Sequence, residues 1–526
     1  MTATDQPLSK RAVVRGARTV ALARIGALIE VVAQPAYTWL FGLATYGLYT
    51  ALWAAVNIAS NVADLALTSA LQRAVPQAAD DDHAHAAVKA ALVAGMLPSV
   101  VIALLVSVLA ADIAALFNAA PADRPTLTLA VALFAWALPL WTFVELATSA
   151  VRARGAFGPE VRLRIFWEQT ARLVLAVLLW AAGVQALGLV LAHLASLLLT
   201  ALLAVRLIAR CYDLKRLIAV PVPMPVLRGL LRTGAGLLPA NIAQRLFIDL
   251  PPVLLNLLLP GAAGASAAGL FGIARKISTL PLIVRHSLHY VIQPLAAGQA
   301  VRDPARINPV YGFATRLSLI LLAPLALLLC LVADELLLLF APEARAAATI
   351  VVILTAARGL SSVAGPANAI LQVLHPERWP LVNAVAGLSV WAALTALLWP
   401  QGAALAMAWG VAAGIATMEG LAALQLWSEA RLHPGAPPFS RLACVVAAGG
   451  LAVVLVSRLA SGAPPVAQTG LAVALTAALA WLAALSINAS EASSVQPCSC
   501  VHASTAAMSA PSSRRRAFSP RISATR

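Results

Sequence analysis

Residues 265–298 have the composition of a membrane helix, yet they carry Arg275, Lys276, Arg285, His286 and His289. At about 100° per residue, Arg275, Arg285, His286 and His289 fall within roughly a 100° arc of one helix face, and Lys276 lies off it. A charged side chain at mid-bilayer costs about 2.5–3.5 kcal/mol even on a lenient insertion scale, so such a face is expected to turn from lipid toward a hydrated cavity. The chemistry it offers is anion binding. Arg245 and Arg358, each inside another apolar stretch, are further candidates for the same cavity.

Polar residues recur on single faces of the neighbouring stretches. Asn57, Asn61, Asp64 and Thr68 share one face of the second span, and Glu30, Gln34 and Thr38 one face of the first. Asn241, Arg245, Asp249 and Asn256 lie within about 60° of one another on the seventh, where Arg245 and Asp249 are i, i+4 neighbours able to neutralise each other. Pro239, Pro251 and Pro252 are expected to break or bend that helix. The candidate substrate-binding set is thus Arg275, Arg285, Arg245, Arg358, Lys276, His286, His289 and Asn61. Asp64, Glu30 and Asp249 are candidates for coupling an ion gradient, or each balances an arginine. Asn and Thr in membrane bundles also serve as interhelical glue, and the histidines as neutral packed side chains.

The elements that must position these residues follow from composition. The chain has 526 residues, 61% hydrophobic and 11% charged, with mean hydropathy +0.87. A soluble chain carries about 25% charged residues. Apolar runs of about twenty residues recur along the sequence, which predicts an all-α polytopic membrane protein with about fourteen transmembrane helices. The net charge of +16 sits mostly in short connections between spans. That is the positive-inside pattern, not a nucleic-acid surface, and it places both termini in the cytoplasm. The basic start (Lys10, Arg11, Arg15, Arg18, Arg24) runs into an uncleaved first helix. The 5 cysteines form no disulfide framework, and the lone Cys498–Cys500 pair lacks partners for a zinc site. No Walker motif or hydrolase signature appears, so no cofactor, metal or catalytic group is expected.

The expected organisation is a basic N-terminus (1–18), a six-helix lobe (19–209), an inter-lobe linker (210–230), a second six-helix lobe (231–427), two additional helices (428–487) and a disordered tail (488–526). Pro221, Pro223 and Pro225 stiffen the linker. The lobes show a faint repeat. Tyr46-Gly47-Leu48-Tyr49 matches Ala268-Gly269-Leu270-Phe271 at an offset of 222, and a second match, between the stretches starting at Ala147 and Ala367, has an offset of 220. Six spans per repeat predicts a pseudo-twofold axis along the membrane normal, with a site between the lobes.

Residues 41–77 resemble the polysaccharide flippases of the multidrug/oligosaccharidyl-lipid/polysaccharide exporter superfamily. The resemblance is carried by Gly42, Gly47-Leu48-Tyr49, Ala63-Asp64 and Arg73, and in the second half by Gly269–Pro294, with Phe271 in place of the usual Tyr. Leu336–Ala347 resembles the stretch leading into the tenth span, with Ala341-Pro342 where a Gly is common. The resemblance implies two lobes around an alternately open cavity. It also implies an undecaprenyl-diphosphate-linked oligosaccharide as substrate, moved across the inner membrane for polysaccharide or lipopolysaccharide biosynthesis. Expected partners are membrane lipid, a polysaccharide polymerase and glycosyltransferases. Arg275 and Arg285 would offer charge-assisted hydrogen bonds to the diphosphate. The rivals are a lipid II flippase, a multidrug exporter, whose cationic cargo suits an acidic cavity, and an O-antigen polymerase or ligase, for which a sizeable outer loop is expected and none is present.

Overall fold

The computed structural model describes residues 32–155, 162–185, 187–282, 308–364, 367–374, 379–431, 439–460 and 464–494, with Ile29 and Gly462 besides. Among these residues the regular elements are all helices, with no strand. The first half comprises α1 (32–41), α2 (Leu43–Ala63), α3 (Leu67–Ala74), α4 (Asp81–Val108), α5 (Ala110–Leu116), α6 (Arg124–Phe134) and α7 (Ala137–Ala153). A π-helical stretch (Arg162–Trp167), α8 (Glu168–Ala181) and α9 (Gly188–Cys211) complete it. A short α10 (Leu214–Ala219) leads to α11 (Met224–Leu258) and α12 (Gly261–Ser278). Then come α13 (Asn308–Leu331), α14 (Ala333–Leu338), α15 (Ala348–Ala364), α16 (Ala367–Leu374), α17 (Trp379–Leu398) and α18 (Ala403–Ala430). The last two, α19 (Phe439–Leu459) and α20 (Pro465–Ser494), pack on α13.

Among the described residues nine helical stretches are long and apolar enough to cross a membrane, and α2 with α3, bent by 45°, makes a tenth. The difference from about fourteen has local causes. The expected first and eighth spans run into undescribed residues. The fifth begins as a π-helix followed by a 14-residue α-helix. The seventh carries Arg245 and Asp249 inside α11. Pro239, Pro251 and Pro252 do not end α11, which runs unbroken for 35 residues. Each proline removes one backbone donor, a loss that packed membrane helices tolerate.

The halves meet where α2 packs on α11 and α12. The crossing of α2 and α12 is built on glycine. A Cβ on Gly47 would lie 1.8 Å from the Ala265 carbonyl oxygen, one on Gly269 2.9 Å from the Leu43 carbonyl oxygen, and one on Gly272 2.8 Å from Thr50 Cγ2. Leu43 and Ala265, Gly47 and Gly269, and Thr50 and Gly272 are each related by the offset of the sequence repeat. Each half thus presents the same backbone patch to the other, the signature of a twofold contact, and the axis passes through this crossing.

At the end of the bundle where α2 begins, a second symmetric contact closes the halves together. The Thr38 hydroxyl donates to the Phe340 carbonyl at 2.7 Å, and Trp39 Nε1 to the Leu339 carbonyl at 2.7 Å. In return, the Asn118 N–H donates to Asn256 Oδ1 (3.0 Å) and Asn118 Nδ2 to the Asn256 carbonyl (2.8 Å). Asn256 Nδ2 donates to the Asn118 carbonyl (2.8 Å) and the Gly261 N–H to Asn118 Oδ1 (2.8 Å). Trp39 and Gly261, and Asn118 and Phe340, are related by the same repeat offset. We call this the clasped end.

The opposite, basic end ties the linker to the first half. Arg216 bonds Asp82 through Nε (2.6 Å) and Asp81 through Nη1 (3.2 Å), while Arg154 also binds Asp81. Lys89 Nζ reaches the Ile218 and Val220 carbonyls at 2.6 and 2.8 Å, satisfying backbone acceptors at the end of α10. The Asp213 N–H donates to Nε2 of the buried His85 at 3.2 Å. The Arg154 hydrogen bond holds the Asp81 carboxyl below its ordinary range.

Candidate anion site between α11 and α12

Asp249 sits between two guanidiniums. Arg275 Nη1, on α12, donates to Asp249 Oδ1 at 2.8 Å and to the Ile248 carbonyl at 2.6 Å. Arg245, one turn earlier on α11, places Nε 3.3 Å from Asp249 Oδ2. The i, i+4 spacing sets the second contact, and the packing of α12 on α11 sets the first. The Asp249 side chain is only 3% exposed, that of Arg275 12% and that of Arg245 30%. The two ion pairs are therefore unequal. Arg275 is aligned and enclosed, whereas neither Arg245 Nε nor Asp249 Oδ2 has an aligned hydrogen-bond partner. Arg275 also lies in the last turn of α12, where the helix dipole favours a cation. Two cations share one carboxylate, so the group carries one net positive charge.

The structure thus brings Arg275, Arg245 and Asp249 of the expected set together. Lys276 follows Arg275 on α12 and so stands about 100° round the helix from it. Arg358 is buried in α15, which packs on α12, but it is not part of the Arg275–Asp249–Arg245 group. Arg285, His286, His289 and Glu30 lie outside the described residues.

Asp64 and Asn61 occupy a separate place, the break between α2 and α3. Leu65 and Ala66 have left-handed φ of 51° and 55°, a backbone that costs non-glycine residues about 1–2 kcal/mol each. Asp64 Oδ2 accepts from the Thr68 hydroxyl at 2.9 Å. Asp64 Oδ1 and Asn61 Oδ1 are buried without a hydrogen-bond partner. Gly234 of α11 lies against this break, for a Cβ there would stand 2.3 Å from the Leu65 carbonyl oxygen. α2 packs on both α11 and α12, but among the described residues Asp64 forms no ion pair with Arg245 or Arg275.

Two features escaped the sequence. His193, isolated within its span when read from sequence, bonds through Nδ1 to the Tyr49 hydroxyl at 2.9 Å, with the Trp53 ring centroid 4.2 Å away. Nearby, Arg172 pairs with Glu168 and its Nε donates to the Ser196 hydroxyl at 3.4 Å, and that hydroxyl donates to the His193 carbonyl at 2.7 Å. The reciprocal Asn118–Asn256 bonds were also missed. Asn256 falls on the polar face of α11, but Asn118 stands in a loop with no periodic signal. Among the described residues no three His, Cys, Asp or Glu side chains converge as a metal site.

Residues 13–297 match the family model described as "Polysaccharide biosynthesis protein". No curated protein matches the sequence. Among solved structures the chain is similar to the lipid II flippase MurJ in an inward closed conformation, with a TM-score of 0.69 and 11% identity over 89% of this chain and 98% of that one. It is also similar to the MATE multidrug transporter DinF-BH, with a TM-score of 0.59 and 12% identity over 82% of this chain and 98% of that one. A MATE protein in complex with MaL6 gives a TM-score of 0.58 and 15% identity over 78% and 95%. At these identities the likeness is one of fold.

Proposed function

Because the chain belongs to the polysaccharide biosynthesis protein family, we propose that this multi-pass membrane protein is a flippase. It translocates an undecaprenyl-diphosphate-linked oligosaccharide across the inner membrane for polysaccharide or lipopolysaccharide assembly. The observation that carries this reading is the arginine pair, Arg275 and Arg245, sharing one buried carboxylate where α11 and α12 meet α2. A guanidinium matches phosphate oxygens in a planar fork. A site with surplus positive charge attracts a diphosphate and repels the organic cations that a multidrug exporter carries.

In this reading the basic end faces the cytoplasm, as do both termini, and the clasped end faces outward. The linker 210–230 divides the six-helix lobes 19–209 and 231–427, and helices 428–487 and the tail 488–526 follow the second. Substrate enters from the inner leaflet with its sugar in the wet interior and its tail in lipid. The lobes then rock about the glycine crossing, and the clasp opens. Arg285, Arg358, Lys276, His286, His289 and Asn61 complete the path. Asp64 and Glu30, and Asp249 in a second role, are the groups through which an ion gradient would act. Lipid II carries the same diphosphate, so the same site chemistry would serve a lipid II flippase, and the sugar separates the two.

The test is a deletion strain with and without the plasmid-borne gene, scored for surface polysaccharide and radiolabelled lipid-linked intermediates. Loss of surface glycan with repeat units accumulating in the inner leaflet supports the flippase. Accumulation of single units in the outer leaflet points to a polymerase. Unchanged glycan with altered sensitivity to cationic drugs points to a multidrug exporter.

A further inference from the structure

We infer that Asp249 is an internal counter-anion of the transport site, a positioning residue that substrate displaces from the arginines and that returns to them when substrate leaves. The inference rests on the reading of Arg275 and Arg245 as the diphosphate site.

Three features carry it. First, Asp249 offers one oxygen to each guanidinium, Oδ1 to Arg275 at 2.8 Å and Oδ2 toward Arg245 at 3.3 Å. It thus stands where two oxygens of a phosphate would stand. Second, the grip is lopsided. Arg245 is the more exposed arginine and its Nε is unaligned with Asp249 Oδ2. An incoming phosphate meets Arg245 first and loosens the weaker half of the clasp. Third, Arg275 keeps a second acceptor, the Ile248 carbonyl at 2.6 Å. When the carboxylate yields, the guanidinium remains aimed at the site.

The device answers a need peculiar to a carrier that must also reset empty. A guanidinium as enclosed as that of Arg275, with a second cation beside it, is costly in a low-dielectric interior when no anion is near. Without a tethered anion, the site would hold its substrate and resist returning unloaded. A site that moves its cargo must bind it well enough to load and weakly enough to release. Asp249, as a tethered competitor, lowers affinity and raises turnover, because it replaces substrate on the arginines at the release step.

The experiment uses the full chain in neutral phosphatidylcholine nanodiscs with farnesyl diphosphate as the binding probe. A diphosphate-linked glycolipid in proteoliposomes reports translocation. Asp249→Asn keeps the shape and removes the charge. It is expected to bind the probe at least about tenfold more tightly while the maximal translocation rate falls about tenfold, so affinity and turnover move in opposite directions. A carboxylate with only a structural role would lower both together. Should Asp249→Asn not fold, Asp249→Ser, which also removes the charge, is read in its place, with the same gain in affinity and loss of turnover expected. Unchanged or weaker probe binding in the folded variant, while Arg275→Gln abolishes binding, overturns the inference and leaves the flippase reading standing. Absence of probe binding by the unsubstituted protein overturns both.

Discussion

Trp53 and Arg275 are related by the repeat offset and so occupy the same position of the two halves. Trp53 lies against His193 and meets Trp141 edge-on at 5.3 Å, inside an aromatic cluster that includes Phe134. Arg275 reaches out of α12 to a carboxylate and a carbonyl of α11. The backbone contacts beside them are twofold at Gly47 and Gly269. The repeat therefore fixes where helices cross, while side chains one to two turns further on divide the labour. The first half is filled with aromatic rings where the second offers charge.

The sharpest way to break this comparison is to exchange the burdens. Replacing Arg275 and Arg245 together by Gln removes charge-assisted hydrogen bonds worth about 1.5–3 kcal/mol each, so glycan export should fall at least about a hundredfold. Trp53→Phe, at the equivalent position, should change export by less than about threefold. Complementation of a deletion strain measures both, with membrane insertion checked by blot. Equal losses would mean that the halves are not specialised.

Next in size is the crossing itself. Gly47→Ala puts a methyl 1.8 Å from a carbonyl oxygen, whereas Gly269→Ala meets its nearest atom at 2.9 Å. Overpacking of this kind costs about 1–3 kcal/mol, with Gly47 the worse. Thermal melting of the detergent-solubilised protein should rank the two so, and reversal of the order would locate the axis elsewhere.

The clasped end sharpens the comparison further. Asn118→Ala leaves buried groups of Asn256 unpaired, at about 1–3 kcal/mol. The double Asn118→Ala, Asn256→Ala variant should cost less than the sum of the singles. Thr38→Val, on the symmetric side, should cost about 1 kcal/mol or less. A double-mutant cycle on melting temperature checks this.

The smallest effect is at the linker. Asp81 has a folded pKa below its ordinary 3.8, chiefly through its hydrogen bond to Arg154. Its grip on Arg154 and Arg216 is therefore fully present above that ordinary value and is lost as pH falls through the lower folded value. A spin label at Lys215→Cys should be equally immobile from pH 8 to 5 and loosen only below about pH 4. In Asp81→Asn, with Arg216 still bonded to Asp82 and Lys89 to the α10 carbonyls, it should be partly loosened already from pH 8 to 5.

Much of this was legible in the sequence, for stated reasons. The offset of 222 between the Gly47 and Gly269 motifs foretold the axis, because close helix crossings demand glycine and leave a readable mark. Arg245 and Asp249 were legible as an i, i+4 pair. That Arg275 completes the group was not, since periodicity gives the face of one helix and says nothing of which carboxylate a neighbouring helix supplies. Lys276, adjacent in sequence, lies off that face by helix geometry alone. The Tyr49–His193 contact and the Asn118 clasp join residues 144 and 138 positions apart, beyond the reach of any local pattern.

The most direct test of the central claim is translocation of an undecaprenyl-diphosphate-linked oligosaccharide in proteoliposomes containing the purified protein or its Arg275→Gln, Arg245→Gln variant. The account predicts protein-dependent movement of the glycolipid between leaflets, lost in the variant while it remains folded and inserted. Equal movement by both proteins would contradict it.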